Sequence, residues 1–100
     1  MEEYEVMIYS SAQDDLSEYI EALAVSSPGE ATRYLELLTE RAKALKTAPE
    51  SRPLAKDMQF RLRGYRTFSV NDSIVFYTVK EKTIRISRII FERPQYEGLI

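Results

Sequence analysis

TFSVNDSIVFYTVKEKTIRISRIIF, residues 67–91, decides the fold. It contains three runs rich in β-branched and aromatic residues: TFSV, IVFYTV and IRISRIIF. Such residues fit a pleated, half-buried surface, and the polar NDS and KEKT segments between them are of hairpin length. The spacing therefore predicts three antiparallel strands, neighbours in space in their chain order. IVFYTV is apolar on both of its faces, which predicts the central strand.

Upstream the period changes. YEVMIY, Tyr4 to Tyr9, reads as a short strand. Ser10 and Ser11 offer a helix N-cap, with Asp14 placed to close a capping box. Ala12, Leu16, Tyr19, Ile20 and Leu23 then recur at helical spacing and form one apolar stripe. SSPGE ends that helix and starts another: Ser27 caps, Pro28 takes the first helical position and Glu30 completes a capping box. Tyr34, Leu35, Leu38, Ala42 and Leu45 make the second stripe. The short connection implies an antiparallel helical hairpin. The second helix is expected to stop near Thr47, because Pro49 biases the residue before it away from helix. Glu50 to Met58 shows neither period and contains Pro53, so it reads as loop. The tail RPQYEGLI reads as irregular.

The order strand, helix, helix, strands predicts an α+β two-layer fold. A helical hairpin covers one face of an antiparallel meander. The first strand joins that sheet at an edge or beside the last strand; the sequence leaves both open.

The chain is 100 residues long and reads as a single domain, 1–100. It has neither cysteine nor histidine, which excludes disulfides and thiolate chemistry and argues against a zinc site. Its three glycines form no phosphate-cradling pattern, so no cofactor or metal is expected. The start is acidic and no apolar run approaches the ~20 residues that cross a bilayer, so the expectation is a soluble, cytoplasmic chain without membrane contact.

Charge is unevenly spread. Residues 1–50 carry four basic and eleven acidic side chains, whereas 51–93 carry ten basic and four acidic. Such asymmetry suggests a cationic face that meets an anionic partner. Arg61, Arg63 and Arg66 crowd RLRGYRTFSV, residues 61–70. On a strand, Arg61 and Arg63 would point to one side. Arg66 reads either as a ligand for phosphate or a partner's carboxylate, or as a structural ion pair with Asp15 or Glu18. Arg88 interrupts the alternating face of Ile84, Ile86 and Ile90, and an arginine there is expected to pair with a carboxylate.

The ordered set YEVMIYSSAQDDL, a helical hairpin, LKTAPE, GYRTFSVNDSIVFYTV and IRISRIIFERPQYEGL resembles the RelE/ParE superfamily of bacterial toxins. The resemblance spans nearly the whole chain. It implies the toxin of a type II toxin–antitoxin (plasmid stabilisation) module, which arrests growth and is neutralised by a cognate antitoxin. The antitoxin, rather than the toxin, would touch operator DNA. Two activities divide the superfamily: RelE-like members cleave messenger RNA on the ribosome, and ParE-like members inhibit DNA gyrase. A third possibility is a non-toxic antitoxin-binding module.

RelE-like nucleases carry an arginine at the start of the aromatic-rich strand, where this chain has Asn71-Asp72-Ser73-Ile74. Arg93 matches a second nuclease arginine by position. The usual tyrosine further on corresponds to Tyr96 with shifted spacing. Cleavage through a ribose hydroxyl needs a base, an acid and a cation on the phosphate. Arg93, Arg66 and Tyr96 are the catalytic candidates if such chemistry exists; Arg61, Arg63, Arg66 and Arg93 are the candidates for partner binding. The missing cation and the absent histidine favour the ParE-like reading.

Overall fold

The computed structural model describes residues 3–91. Its elements, in order, are β1 (Glu5–Ile8), α1 (Ser10–Ser26), α2 (Pro28–Leu45), α3 (Met58–Leu62), β2 (Arg66–Val70), β3 (Ser73–Lys80) and β4 (Thr83–Phe91). One four-stranded sheet has the order β1-β4-β3-β2. β2, β3 and β4 form the expected antiparallel meander with β3 inside it. β1 lies both at an edge and beside the last strand, and it runs parallel to β4, which makes the sheet mixed.

The two long helices cover one face. From α1, Ala12 is fully buried and Leu16, Tyr19 and Ile20 pack against the core; α2 contributes Tyr34, Leu38 and Leu45. The second stripe differs from expectation at one place: Leu35 is exposed, and Leu37 packs inward instead. The sheet answers with Phe68, Val70, Val75, Tyr77, Ile84, Ile86 and Ile89. Ile84, Ile86 and Ile89 are each at most 2% exposed, and burial of such a side chain is worth about 1.5–3 kcal/mol. At one end of this core Tyr19 stacks on Phe91 with ring centres 3.9 Å apart, and Tyr34 tilts against both rings.

Serine does not cap as its spacing suggests. α1 begins two residues earlier than Ser11 at the N-cap would need, with Tyr9 at the N-cap. Ser11 Oγ instead donates to the Ser87 carbonyl at 2.8 Å. Ser27 occupies the N-cap of α2 and Pro28 its first turn, but no side-chain cap bond forms.

The reason Ser87 needs that donor lies in the sheet. Phe76 faces Arg88 and Tyr77 faces Ile86, so Ser87 is an extra residue in β4, a β-bulge. The bulge shifts the alternation by one. Ile84, Ile86 and Ile89 look toward the helices, while Arg88 and Ile90 look the other way. Ile90 therefore does not share a face with Ile84 and Ile86, as strict alternation had predicted.

A further element begins where the region read as loop, Glu50 to Met58, ends. Asp57 caps α3, accepting from the Gln59 N–H at 2.9 Å. Gly64 follows the helix at φ 82°, a left-handed value suited to glycine. The chain then enters β2 at Arg66.

Candidate functional site

Of the four arginines singled out by sequence, Arg61, Arg63 and Arg66 lie among the described residues. Arg61 lies in the last turn of α3 and Arg63 at its C-cap, both exposed. They belong to a helix end, so the strand parity expected of them does not apply. Asp57 at the N-cap and Gly64 at positive φ close a helical turn before any strand can begin. Arg93 and Tyr96 lie outside the described residues.

Arg66 opens β2 on the helix-facing side, in the same parity as Phe68 and Val70. Its Nη1 donates to the Arg52 carbonyl at 2.6 Å. Opposite it in register stands Tyr77, whose hydroxyl donates to the Pro49 carbonyl at 2.6 Å. Together they hold the segment that leaves α2. The ion pair with Asp15 or Glu18 weighed for Arg66 is not seen: α1 packs on β4, whereas Arg66 lies on β2 at the far edge of the sheet, and Asp15 is held by another arginine.

That arginine is Arg88. Its Nε meets Asp15 Oδ2 at 2.7 Å and its Nη2 meets Oδ1 at 2.8 Å; Asp15 Oδ2 also accepts from the Ile89 N–H at 2.9 Å. The carboxylate pairing predicted for Arg88 is thus present, and it ties α1 to β4. Burial pushes the Asp15 carboxyl up, but the bonds from Arg88 and Ile89 outweigh it and hold the group below its ordinary value.

The face of the sheet turned away from α1 and α2 is the other prominent surface. Register places its rows: Ser69, Ile74 and Ile90; then Thr67, Phe76 and Arg88; then Thr78, Arg85 and Met7; then Lys80, Thr83 and Glu5. α3 overhangs one side. Phe60 packs on Phe76 with ring centres 5.2 Å apart, and Tyr65 meets Phe60 edge-on at 5.7 Å. Phe60, Tyr65, Ile74, Phe76, Arg88 and Ile90 surround an open groove of about 410 Å³. Sequence reasoning did not assemble this groove. Its one legible signal was the two-faced apolarity of IVFYTV. The bulge that turns Ile90 outward and the short helix that brings Phe60 across have no period to betray them.

Three tyrosines have hydroxyls shifted by their burial. Burial raises the hydroxyl pKa of Tyr19, Tyr34 and Tyr77; at Tyr77 the nearby Arg66 and Arg52 only partly oppose it. Such phenols stay protonated and donate hydrogen bonds rather than take protons near neutrality. No group of acidic side chains suited to a metal ion occurs among the described residues. No helix among them is long and apolar enough to cross a membrane.

No curated protein matches the sequence. Among solved structures, a chain of the chromosomal ParDE TA system from P. aeruginosa shares the fold with a TM-score of 0.72 and 20% identity, over 90% of this chain and 97% of that one. The ParE toxin family of type II toxin–antitoxin systems, parDE, matches residues 6–96. With that match extending from β1 past the end of β4, the chain belongs to the ParE toxin family, whose members are paired with a cognate antitoxin.

Proposed function

We propose that this ParE-family toxin arrests growth by binding DNA gyrase rather than by cutting RNA. The observation that carries this reading is the character of the sheet face at the start of β3. Where RelE-like nucleases carry an arginine, Ile74 stands beside Ile90 and contributes to an apolar groove. A phosphorane needs charge-matched donors; Ile74 and Ile90 offer none, and Arg88, the cation beside them, is engaged by Asp15. Arg61, Arg63 and Arg93 act in this reading as contacts for protein partners, while Arg66 holds the segment after α2, and the toxin meets operator DNA only through its antitoxin, in the cytoplasm.

The test is a supercoiling assay with purified gyrase. Inhibition that is relieved by the antitoxin is expected. Undiminished supercoiling at excess toxin overturns the proposal, and new message ends in primer extension that disappear in Arg93→Ala would replace it with the nuclease reading.

A further inference from the structure

We infer that the open sheet face is a peptide-docking site. Arg85 captures a carboxylate of the antitoxin there, while an apolar side chain of the same segment enters the groove between Phe60, Phe76 and Ile90. This deepens the pairing with a cognate antitoxin and rests on it.

Arg85 is the pivotal observation. It sits in the row between Met7 and Thr78, next to the row of Phe76 and Arg88. It is half-buried, and its Nε is buried without a hydrogen-bond partner among the described residues. Arg88 on the same face has its charge answered by Asp15, but Arg85 has no acidic partner among the described residues. A sequestered guanidinium N–H left unmatched is costly, and a carboxylate is the acceptor whose geometry fits the fork. Lys80 lies one row further along, and Glu5, in that row, is the acid that register places on this face. The local field there favours an anionic visitor.

The apolar half of the site is also incomplete. Phe60 is 38% and Ile90 39% exposed, and Met7 is 49% exposed at the far end of the Arg85 row. Successive rows on one face are about 7 Å apart, twice the rise per residue of a strand. A helix advances about 5.4 Å per turn, so apolar and acidic side chains one to two turns apart would meet the groove and Arg85 together. An acidic amphipathic helix has that pattern.

Single-stranded nucleic acid also uses aromatic and cationic sheet faces, but it needs free ring faces. Here Phe60, Tyr65 and Phe76 are packed against one another at interplanar angles of 84°, 57° and 75°, and no open parallel platform results. A peptide is the better fit.

The experiment titrates the full chain with its purified antitoxin by calorimetry, at low and high salt. Arg85→Met and Ile90→Asp are each expected to weaken binding by about tenfold or more. Arg85→Lys should recover part of the loss, and Arg85→Met should flatten the salt dependence. Glu36→Lys, on the exposed surface of α2, should bind as wild type. Melting curves and amide spectra establish that each variant is folded. Wild-type affinity in folded Arg85→Met and Ile90→Asp overturns this site and leaves the antitoxin pairing intact. A wild-type chain that binds no antitoxin overturns both. Binding of a single-stranded oligonucleotide that the same two substitutions abolish overturns the peptide assignment.

Discussion

Asp15 and Arg88 hold each other by two parallel hydrogen bonds of 2.7 and 2.8 Å, and the same carboxylate accepts the backbone N–H of Ile89. One side chain of α1 thus grips both the side chain and the main chain of β4, immediately after the bulge at Ser87. Bidentate geometry and a backbone donor make this stronger than an ordinary surface pair, although the Arg88 side chain is 53% exposed and screened accordingly.

Asp15→Asn is therefore expected to destabilise the fold by about 1–2 kcal/mol, measured by urea denaturation. The folded carboxyl titrates below its ordinary value of 3.8. The stabilisation is accordingly complete above that value and is lost as pH falls through the lower, folded one. Wild type and Asp15→Asn should converge in stability on acidification below pH 3.8 and differ at neutral pH. A constant difference across that range would show that the ion pair is not its source.

Tyr34 and Ser73 form a buried relay whose direction is determined. Ser73 Oγ donates to the Val70 carbonyl at 2.7 Å, so it accepts from the Tyr34 hydroxyl, 2.6 Å away. Tyr34→Phe and Ser73→Ala should each cost about 1–2 kcal/mol, and the double variant less than their sum. Additive losses in that cycle would mean the two hydroxyls do not cooperate. Burial raises the Tyr34 pKa, opposed by the Ser73 bond. That contribution is present below the ordinary tyrosine value of 10.0 and is lost as pH rises through the folded one.

Arg66 is assigned here a structural bond, to the Arg52 carbonyl, alongside the bond from Tyr77 to the Pro49 carbonyl. Arg66→Met and Tyr77→Phe should each speed tryptic cleavage after Lys56 by several-fold, with about 1 kcal/mol of lost stability. If Arg66→Met leaves cleavage unchanged, the arginine is free for another role.

Two backbone positions invite stabilisation or resist change. Glu81 and Lys82 both have positive φ, 52° and 65°, in the two-residue turn between β3 and β4. Asparagine tolerates that region better, so Glu81→Asn should raise stability by about 0.5–1 kcal/mol in thermal melts. Gly64→Ala meets no atom within 4 Å of the new Cβ, yet its φ of 82° should make it cost about 1 kcal/mol. Equal melting temperatures for wild type and Gly64→Ala would show that the helix end relaxes.

The groove and the role of Arg66 were the parts hardest to read beforehand. TFSV, IVFYTV and IRISRIIF announce their strands because they are short runs rich in β-branched and aromatic residues between turn-forming segments. The spacing puts Leu35 on the apolar stripe of α2, yet it is exposed while Leu37 packs inward, because only packing against the neighbouring elements decides where the stripe ends. DMQFRL was passed over because five residues of helix are too few to show a period.

By itself, then, the linear order of apolar periods determined the two layers, the helical hairpin and the meander. Each follows from residues near one another in the chain, through propensity and alternation. Contacts between distant segments decided the rest: that β1 runs parallel beside β4, that Asp15 belongs to Arg88 rather than Arg66, and that Ile90 faces away from the helices. A single inserted residue at Ser87 reverses which side chains share a face. Only the assembled sheet, with Ser11 supplying the donor for the Ser87 carbonyl, places that insertion.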